Sequence, residues 1–352
     1  MKKLLIFFAS INICGVMAQT PQTDQHWIKN NTFSDEFNGS KTNIWYEMSG
    51  GPLWGSQFCR PQNILFGTEG SRSFLRFKAE MENGTPYSGG IWTGYNVYSG
   101  YGHNGLGYGY YEIEARVIQT PGIVSGLWPA FWMQHENFTP PYWYEELDIF
   151  EPNNCQVQNN NHHVTYWRID DETKPFNTQT NSQPYTGDRY NVDMSVWHKY
   201  AVEWLPEKVV FYIDDESCFT LDKSIPYPYH QNPCLRIDLQ TDKYNQPPGW
   251  YCPPDILDGL LGYFDINYFR YYQLLCSSEI ITEAQGNGYN FNNYTYKVKK
   301  SCIFKNASVP NNTDISIRAT DFIELKENFE VPLGATLYLD ITPCALVKTT
   351  RD

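Results

Sequence analysis

Glu145-Glu146-Leu147-Asp148-Ile149-Phe150-Glu151 is the stretch on which the reading of this chain turns. Leu147, Ile149 and Phe150 favour pleated backbone and neither Gly nor Pro interrupts them, so it reads as a β-strand. Alternate strand residues share a face. Glu146 and Asp148 therefore point together, while Glu151, at an odd offset, points the other way. One β-bulge near Ile149-Phe150 would bring Glu151 back to their face. Crowded carboxylates split their pKa values, leaving one ionised and one protonated, which is what glycoside cleavage requires. Taken alone, the same residues also fit an exposed, acidic edge strand.

Outward from this stretch the chain reads as almost wholly β. Short alternating runs, such as 108–117, 209–213 and 264–272, recur between Gly, Asn and Pro clusters, the pattern of a sandwich or barrel. No amphipathic helix of any length stands out. Residues 134–145 and 168–196 are polar and rich in Pro or Asn, and read as long functional loops. Composition changes after Leu274. An Asn-rich stretch (286–293) and the basic Lys297-Val298-Lys299-Lys300 precede a second alternating region. The expected division is a signal peptide at 1–18, a main domain at 19–275, an irregular linker at 276–312 and a small β module at 313–352, clipped by a Cys302–Cys344 pair.

The leader rests on Lys2 and Lys3, a short apolar run and Val16-Met17-Ala18 before Gln19. That run is too short to span a bilayer, and no later segment is apolar enough to do so. The chain would thus be secreted or held at the cell surface. Losing Lys2 and Lys3 takes the formal charge from −13 to −15, which argues against nucleic acid or an anionic membrane as partner. Removing Cys14 leaves an even set of cysteines, which in an exported chain points to disulfides of unspecified pairing. No close Cys-x-x-Cys pair supports a zinc site. Aromatic residues make up 16% of the chain, with 27 Tyr and 11 Trp; beyond filling a core, such rings supply flat platforms for sugars. Sequons such as Asn83-Gly84-Thr85 matter only in a host that glycosylates exported proteins.

The central stretch resembles the catalytic signature of glycoside hydrolase family 16 in its bulged form, Glu-x-Asp-x-x-Glu. Further segments resemble the family in the same order. They are Phe33-Ser34-Asp35-Glu36-Phe37-Asn38-Gly39 followed by Trp45; Ser88-Gly89-Gly90-Ile91-Trp92-Thr93; Tyr108-Gly109-Tyr110-Tyr111-Glu112-Ile113-Glu114-Ala115-Arg116; and Gly126-Leu127-Trp128-Pro129-Ala130-Phe131-Trp132-Met133. Trp197-His198-Lys199-Tyr200-Ala201-Val202-Glu203-Trp204, residues 210–214 and residues 265–272 complete the order. The resemblance spans roughly residues 28–274. Residues 313–344 resemble a short C-terminal repeat on exported Bacteroidetes proteins, through Ala319, Ile323, Leu325, Phe329, Val331 and Gly334.

The resemblance implies a β-jelly-roll of two stacked antiparallel sheets, the concave one forming an open cleft for a polysaccharide. It implies retaining hydrolysis of an internal β-linkage, with Glu146 as nucleophile, Glu151 as general acid/base and Asp148 tuning their charges. Their carboxyls should then lie about 5–5.5 Å apart. Trp128, Trp132, Trp92 and Trp143 become candidate sugar platforms, with core packing the alternative for Trp132, and Trp143 falls in a cleft-rim loop. His163 and Trp167 follow as substrate-binding candidates; Trp167 stands where many β-1,3-glucan-cleaving members carry a second His. No cofactor is needed for catalysis, although Glu36 and Asp265 stand where ligands of a structural calcium ion could come from. The expected substrate is a β-1,3- or mixed-linkage glucan, with an algal galactan as alternative. A non-catalytic carbohydrate-binding protein on the same fold and a transglycosylase are the competing functions.

Overall fold

The arrangement follows from alternation in strands such as Cys234–Gln240, where Leu235, Ile237 and Leu239 face one way and Arg236, Asp238 and Gln240 the other. The apolar face must find a partner layer. In the computed structural model that partner is a second sheet, and the two inner faces share one core. The structure describes residues 27–51, 57–93, 106, 109–137, 143–152, 162–169, 185–189, 192–205, 208–221, 234–243, 253–274, 287–293 and 299–341. The expected leader at 1–18 lies outside them.

Strands are numbered β1–β20 in chain order. The first sheet runs β15 (Glu216–Leu221), β14 (Lys208–Ile213), β13 (His198–Leu205), β8 (Gly109–Gln119), β17 (Gly259–Leu274), β5 (Arg72–Glu82), β6 (Thr85–Ser88) and β3 (Phe58–Cys59). β1 (Trp27–Lys29) joins β17, and β4 (Ile64–Glu69) joins β5. The second sheet runs β12 (Tyr185–Arg189), β11 (His162–Ile169), β10 (Trp143–Pro152), β9 (Trp128–Asn137), β16 (Cys234–Gln240), β7 (Gly90–Trp92) and β2 (Tyr46–Glu47). Pairing is antiparallel throughout except between β3 and β6. This is the all-β, jelly-roll-like sandwich expected. The described residues contain no α-helix, only 3-10 turns at Pro61–Asn63 and Phe291–Asn293.

Large aromatic rings lock the sheets together. Phe150 stacks on Phe264, 5.5 Å between ring centroids, and lies 4.2 Å from Tyr200, so one ring of the second sheet reaches two strands of the first. Phe131 meets Phe269 edge-on at 6.2 Å. Burying one such ring stabilises by about 1.5–3 kcal/mol.

Three expectations change. The segment 134–145 is largely strand, not loop: β9 extends to Asn137 and β10 starts at Trp143. Trp143 therefore opens β10 opposite Asn137 instead of riding on a rim loop. Residues 168–196 likewise include an edge strand, β12, paired with β11. In both places polar residues with Pro or Asn nearby in the sequence obscured the β pattern. Third, the segment read as a linker contributes β18 (Lys299–Phe304), which pairs with β19 (Asp314–Leu325), itself paired with β20 (Thr336–Ile341).

These last three strands are parallel, with a core of their own around Phe291, Cys302, Phe304, Val309 and Ile317. Successive turns of chain stack at the corners. Asn306 Nδ2 donates to Asn287 Oδ1 and Asn328 Nδ2 to Asn306 Oδ1, each at 2.7 Å. The three asparagines recur at intervals of roughly twenty residues, the spacing of a short solenoid coil. No disulfide joins any two of the described cysteines, Cys59, Cys218, Cys234 and Cys302; Cys155, Cys252, Cys276 and Cys344 lie outside the described residues.

Candidate functional site

The bulge in β10 is where the sequence places it. Against β9, Asp148 pairs with Trp132 and Phe150 with Phe131; against β11, Asp148 pairs with Thr165 and Glu151 with His163. The register slips between these pairs. Its cause is packing: Leu147, Ile149 and Phe150 all belong to the core. Two successive apolar residues can both turn inward only if an extra residue is accommodated. The consequence is chemical, because Glu151 then rejoins the face carrying Glu146 and Asp148.

The register sets out this face as rows across the sheet. Glu146 pairs with Gln134 on one side and Trp167 on the other. In the next row Asp148 lies beside Trp132, which pairs with Arg236, which pairs with Trp92. Beyond it, Phe150 pairs with Phe131, so Glu151 comes level with Ala130; Ala130 pairs with Asp238, and Asp238 with Gly90. Last, Trp128 pairs with Gln240. The sequence candidates Glu146, Asp148, Glu151, Trp128, Trp132 and Trp92 therefore occupy neighbouring positions on one face. His163 and Trp167 are in register with Glu151 and Glu146. Trp143 stands at the far end of β10 from the bulge.

Electrostatics separate the acids. The Glu151 carboxyl is pushed up to about 8, first by burial and then by the negative charges of Glu146 and Asp238, against the lowering effect of a hydrogen bond from Trp128. Trp128 Nε1 donates that bond to Glu151 Oε1 at 2.5 Å. Asp238 is buried and raised to about 6 by desolvation, with Arg236, Gln240 and Trp132 opposing the rise. Trp132 Nε1 donates to Asp238 Oδ1 at 3.3 Å. Trp132, left between core and cleft by its sequence, is only 2% exposed yet lies on the acidic face, with the Arg236 guanidinium 4.6 Å from its ring. Arg236 also lies 5.6 Å from the Trp92 ring, so two aromatic faces hold one cation.

Sequence reasoning missed β16 altogether. Its signal was present as the strict alternation Leu235, Ile237, Leu239 against Arg236, Asp238, Gln240, which marks a strand with three polar residues on the cleft side.

Glu36 and Asp265, named as sources of calcium ligands, are engaged otherwise. Asp265 is fully buried and accepts from Arg76 Nε at 2.6 Å, Arg76 Nη2 at 2.8 Å and Arg116 Nε at 3.1 Å. Glu36 accepts from Arg270 Nε and Nη2 at 2.9 and 2.8 Å and also from Lys29. Carboxylates already neutralised by guanidinium groups do not fit a divalent-ion site, which needs six or more oxygens. Among the described residues no group of three His, Cys, Asp or Glu side chains could hold a metal.

Residues 99–240 match the family model "Glycosyl hydrolases family 16". An endo-1,3-1,4-beta-glycanase, EglC, of Rhizobium meliloti is 28% identical over 195 residues, 54% of this chain; the chain spans about a third of that relative, 35%. Beta-porphyranase E of Zobellia galactanivorans is 26% identical over 275 residues, 71% of this chain and 88% of the relative. A solved glycoside hydrolase family 16 endo-glucanase of Bacteroides ovatus superposes with a TM-score of 0.52 at 21% identity, covering 68% of this chain and 99% of that one. This last likeness is one of fold.

Proposed function

We propose that the chain, which matches the model of glycosyl hydrolases family 16 over residues 99–240, is a retaining endo-glycosidase acting by double displacement on an internal β-linkage of a polysaccharide. The observation that carries this reading is the β10 bulge, which brings Glu151, its carboxyl raised to about 8, to the same face as Glu146. At neutral pH Glu151 keeps its proton and can act as an acid.

Glu146 attacks the anomeric carbon while the glycosidic C–O bond breaks and the leaving oxygen takes the Glu151 proton. In the resulting glycosyl-enzyme Glu146 is an ester and has lost its charge. One of the charges holding the Glu151 pKa up is then gone, so Glu151, now ionised, is a suitable base. Water gives it a proton and attacks the anomeric carbon, and Glu146 leaves as a carboxylate. Asp148 lies between the two and holds their separation. Trp128, half-buried and bonded to Glu151, offers a ring at the point of cleavage.

A β-1,3- or mixed-linkage glucan is the favoured substrate, in line with the Rhizobium meliloti relative. A galactan is the second reading, favoured by the porphyranase likeness, which covers more of both chains. The test is reducing-end release with product sizing on laminarin, lichenan, xyloglucan, agarose, porphyran and carrageenan. Short oligosaccharides from one polymer, with the first product carrying the β-anomer by NMR, are expected. An α-anomer as first product would overturn the retaining mechanism. Folded protein that binds a polymer and releases nothing would shift the reading to a carbohydrate-binding protein.

A further inference from the structure

The double displacement assigns no task to the second buried acid on this face, Asp238. Glu151 and Asp238 lie in one row, separated only by Ala130. Trp128, Ala130 and Trp132 alternate along β9 and share a face. The two indoles therefore flank the alanine, one donating to Glu151 and the other to Asp238. On its far side Asp238 meets Gly90, where a Cβ would fall 2.7 Å from the Asp238 Cβ and 2.8 Å from Met48 Sδ. No side chain larger than hydrogen fits there, so Asp238 is held close against β7. Gln240 Nε2 donates to the same Asp238 oxygen at 3.4 Å.

Resting on the retaining reading above, we propose that Asp238 is a positioning residue for the catalytic proton: its anchored carboxylate, one strand beyond Ala130, holds the proton on Glu151 before the glycosidic bond breaks. Glu146 supplies a negative charge only until it is esterified, whereas Asp238 supplies one throughout the cycle. The midpoints agree with the roles. With Asp238 raised to about 6 and Glu151 to about 8, at neutral pH the first is charged and the second protonated.

Among the described residues, the following charges and titratable groups stand nearest. On β10 Glu146 and Asp148 share the face of Glu151, and His163 of β11 is its register partner. Arg236, on the same strand as Asp238, favours the Asp238 anion. Cys59 of β3 lies within the field of Asp238, and its buried thiol is pushed up to about 12, so it stays neutral.

The test is a carboxyl titration by 13C NMR on glutamate-labelled protein, read beside the pH profile of turnover. In Asp238→Asn the Glu151 midpoint should fall by roughly one pH unit, and the alkaline limb of kcat/KM should move down with it. Asp238→Glu, which keeps the charge, should hold the midpoint near the wild-type value. Should Asp238→Asn fail to fold by circular dichroism, Asp238→Ser carries the same test. A Glu151 midpoint unmoved in the folded neutral variant would overturn the proposal, whatever its turnover. Because the titration needs no substrate, it stands even if no polymer is cleaved; failure of the glycosidase reading shows separately, as a shifted midpoint with no release from the panel.

Discussion

The antiparallel sandwich and the parallel C-terminal stack both bury one apolar face, but they treat polar groups differently. In the sandwich, the strands β9, β10 and β16 bury Gln134, Asp148, Arg236, Asp238 and Gln240. In the stack, the buried polar residues among those described are Lys299 and Ser301, and the polar order sits at the corner asparagines instead. Burying charge is expensive unless each group is paired or hydrogen-bonded. The second sheet gathers its buried polar groups on the face that carries Glu146 and Glu151, whereas the buried Asp265 of the first sheet is taken up in ion pairs with Arg76 and Arg116; the mostly apolar interior of the stack serves its own cohesion. The difference separates a working surface from a packing unit within one chain.

The largest effect should come from removing one carboxylate. Glu146→Gln should lower turnover by roughly 10⁴-fold or more, leaving the melting temperature and polymer retardation in affinity gels close to wild type. A folded Glu146→Gln protein with unchanged turnover would sink the nucleophile assignment. The converse substitution lies in the stack. Phe304 is fully buried and packs against Phe291 at 5.0 Å and Tyr289 at 5.4 Å. Phe304→Ala should destabilise that region by about 3–5 kcal/mol, seen in calorimetry as a shift of its own transition, while kcat on the sandwich stays within about twofold. Turnover that falls in step with the stack's melting would erase the distinction between the two regions.

How much of this was legible in sequence also divides along the same line. Glu146, Asp148 and Glu151 were legible because alternation and one misplaced acid demand a bulge, and the bulge is there. The all-β sandwich was legible from its recurring short strands. Asp238 was not singled out, because a lone acid in an alternating strand looks like any solvent-facing residue; only the cross-strand register puts it beside Ala130 and level with Glu151. The ends of β9 and β10 were hidden for the reverse reason, since polar residues with Pro and Asn nearby mimic a loop until a neighbouring strand satisfies their backbone. The stack was half legible. Its alternating part stood out, but Asn287 and Asn306 passed for linker because what repeats is a corner, spaced too far apart for a local pattern to reveal.

A pH-dependent effect probes the expense of the working face itself. Burial and neighbouring charge raise the Glu151 carboxyl from 4.5 to about 8. A group whose folded pKa is raised contributes most below its unfolded pKa, and that contribution is lost as pH rises through the folded value. Between about pH 4.5 and pH 8, then, Glu151 should progressively weaken the sandwich. Glu151→Gln removes the ionisation. It should match wild type near pH 4 and be more stable by on the order of 5 kcal/mol at pH 9, measured by urea unfolding at each pH, while turnover is lost. Equal stability of the two proteins at pH 9 would mean that Glu151 titrates as an ordinary surface acid, and the acid role would lose its support.

The smallest effect tests whether the asparagine corner is a cohesive device or an accident of composition. Asn306 sits between Asn287 and Asn328, accepting from one and donating to the other, and its backbone is left-handed at φ 50°. Asparagine tolerates that conformation better than other non-glycine residues. Asn306→Ala loses both side-chain bonds and places a Cβ without compensation in the left-handed region; Asn306→Gly loses the bonds but relieves the backbone. The alanine variant should therefore be destabilised by about 1–2 kcal/mol and the glycine variant by less, both in the stack's transition alone. Were the two equally destabilised, the hydrogen bonds would account for the whole effect and the backbone for none. Were both indistinguishable from wild type, the ladder would contribute nothing, and the apolar core around Phe291 and Phe304 would hold the stack together by itself.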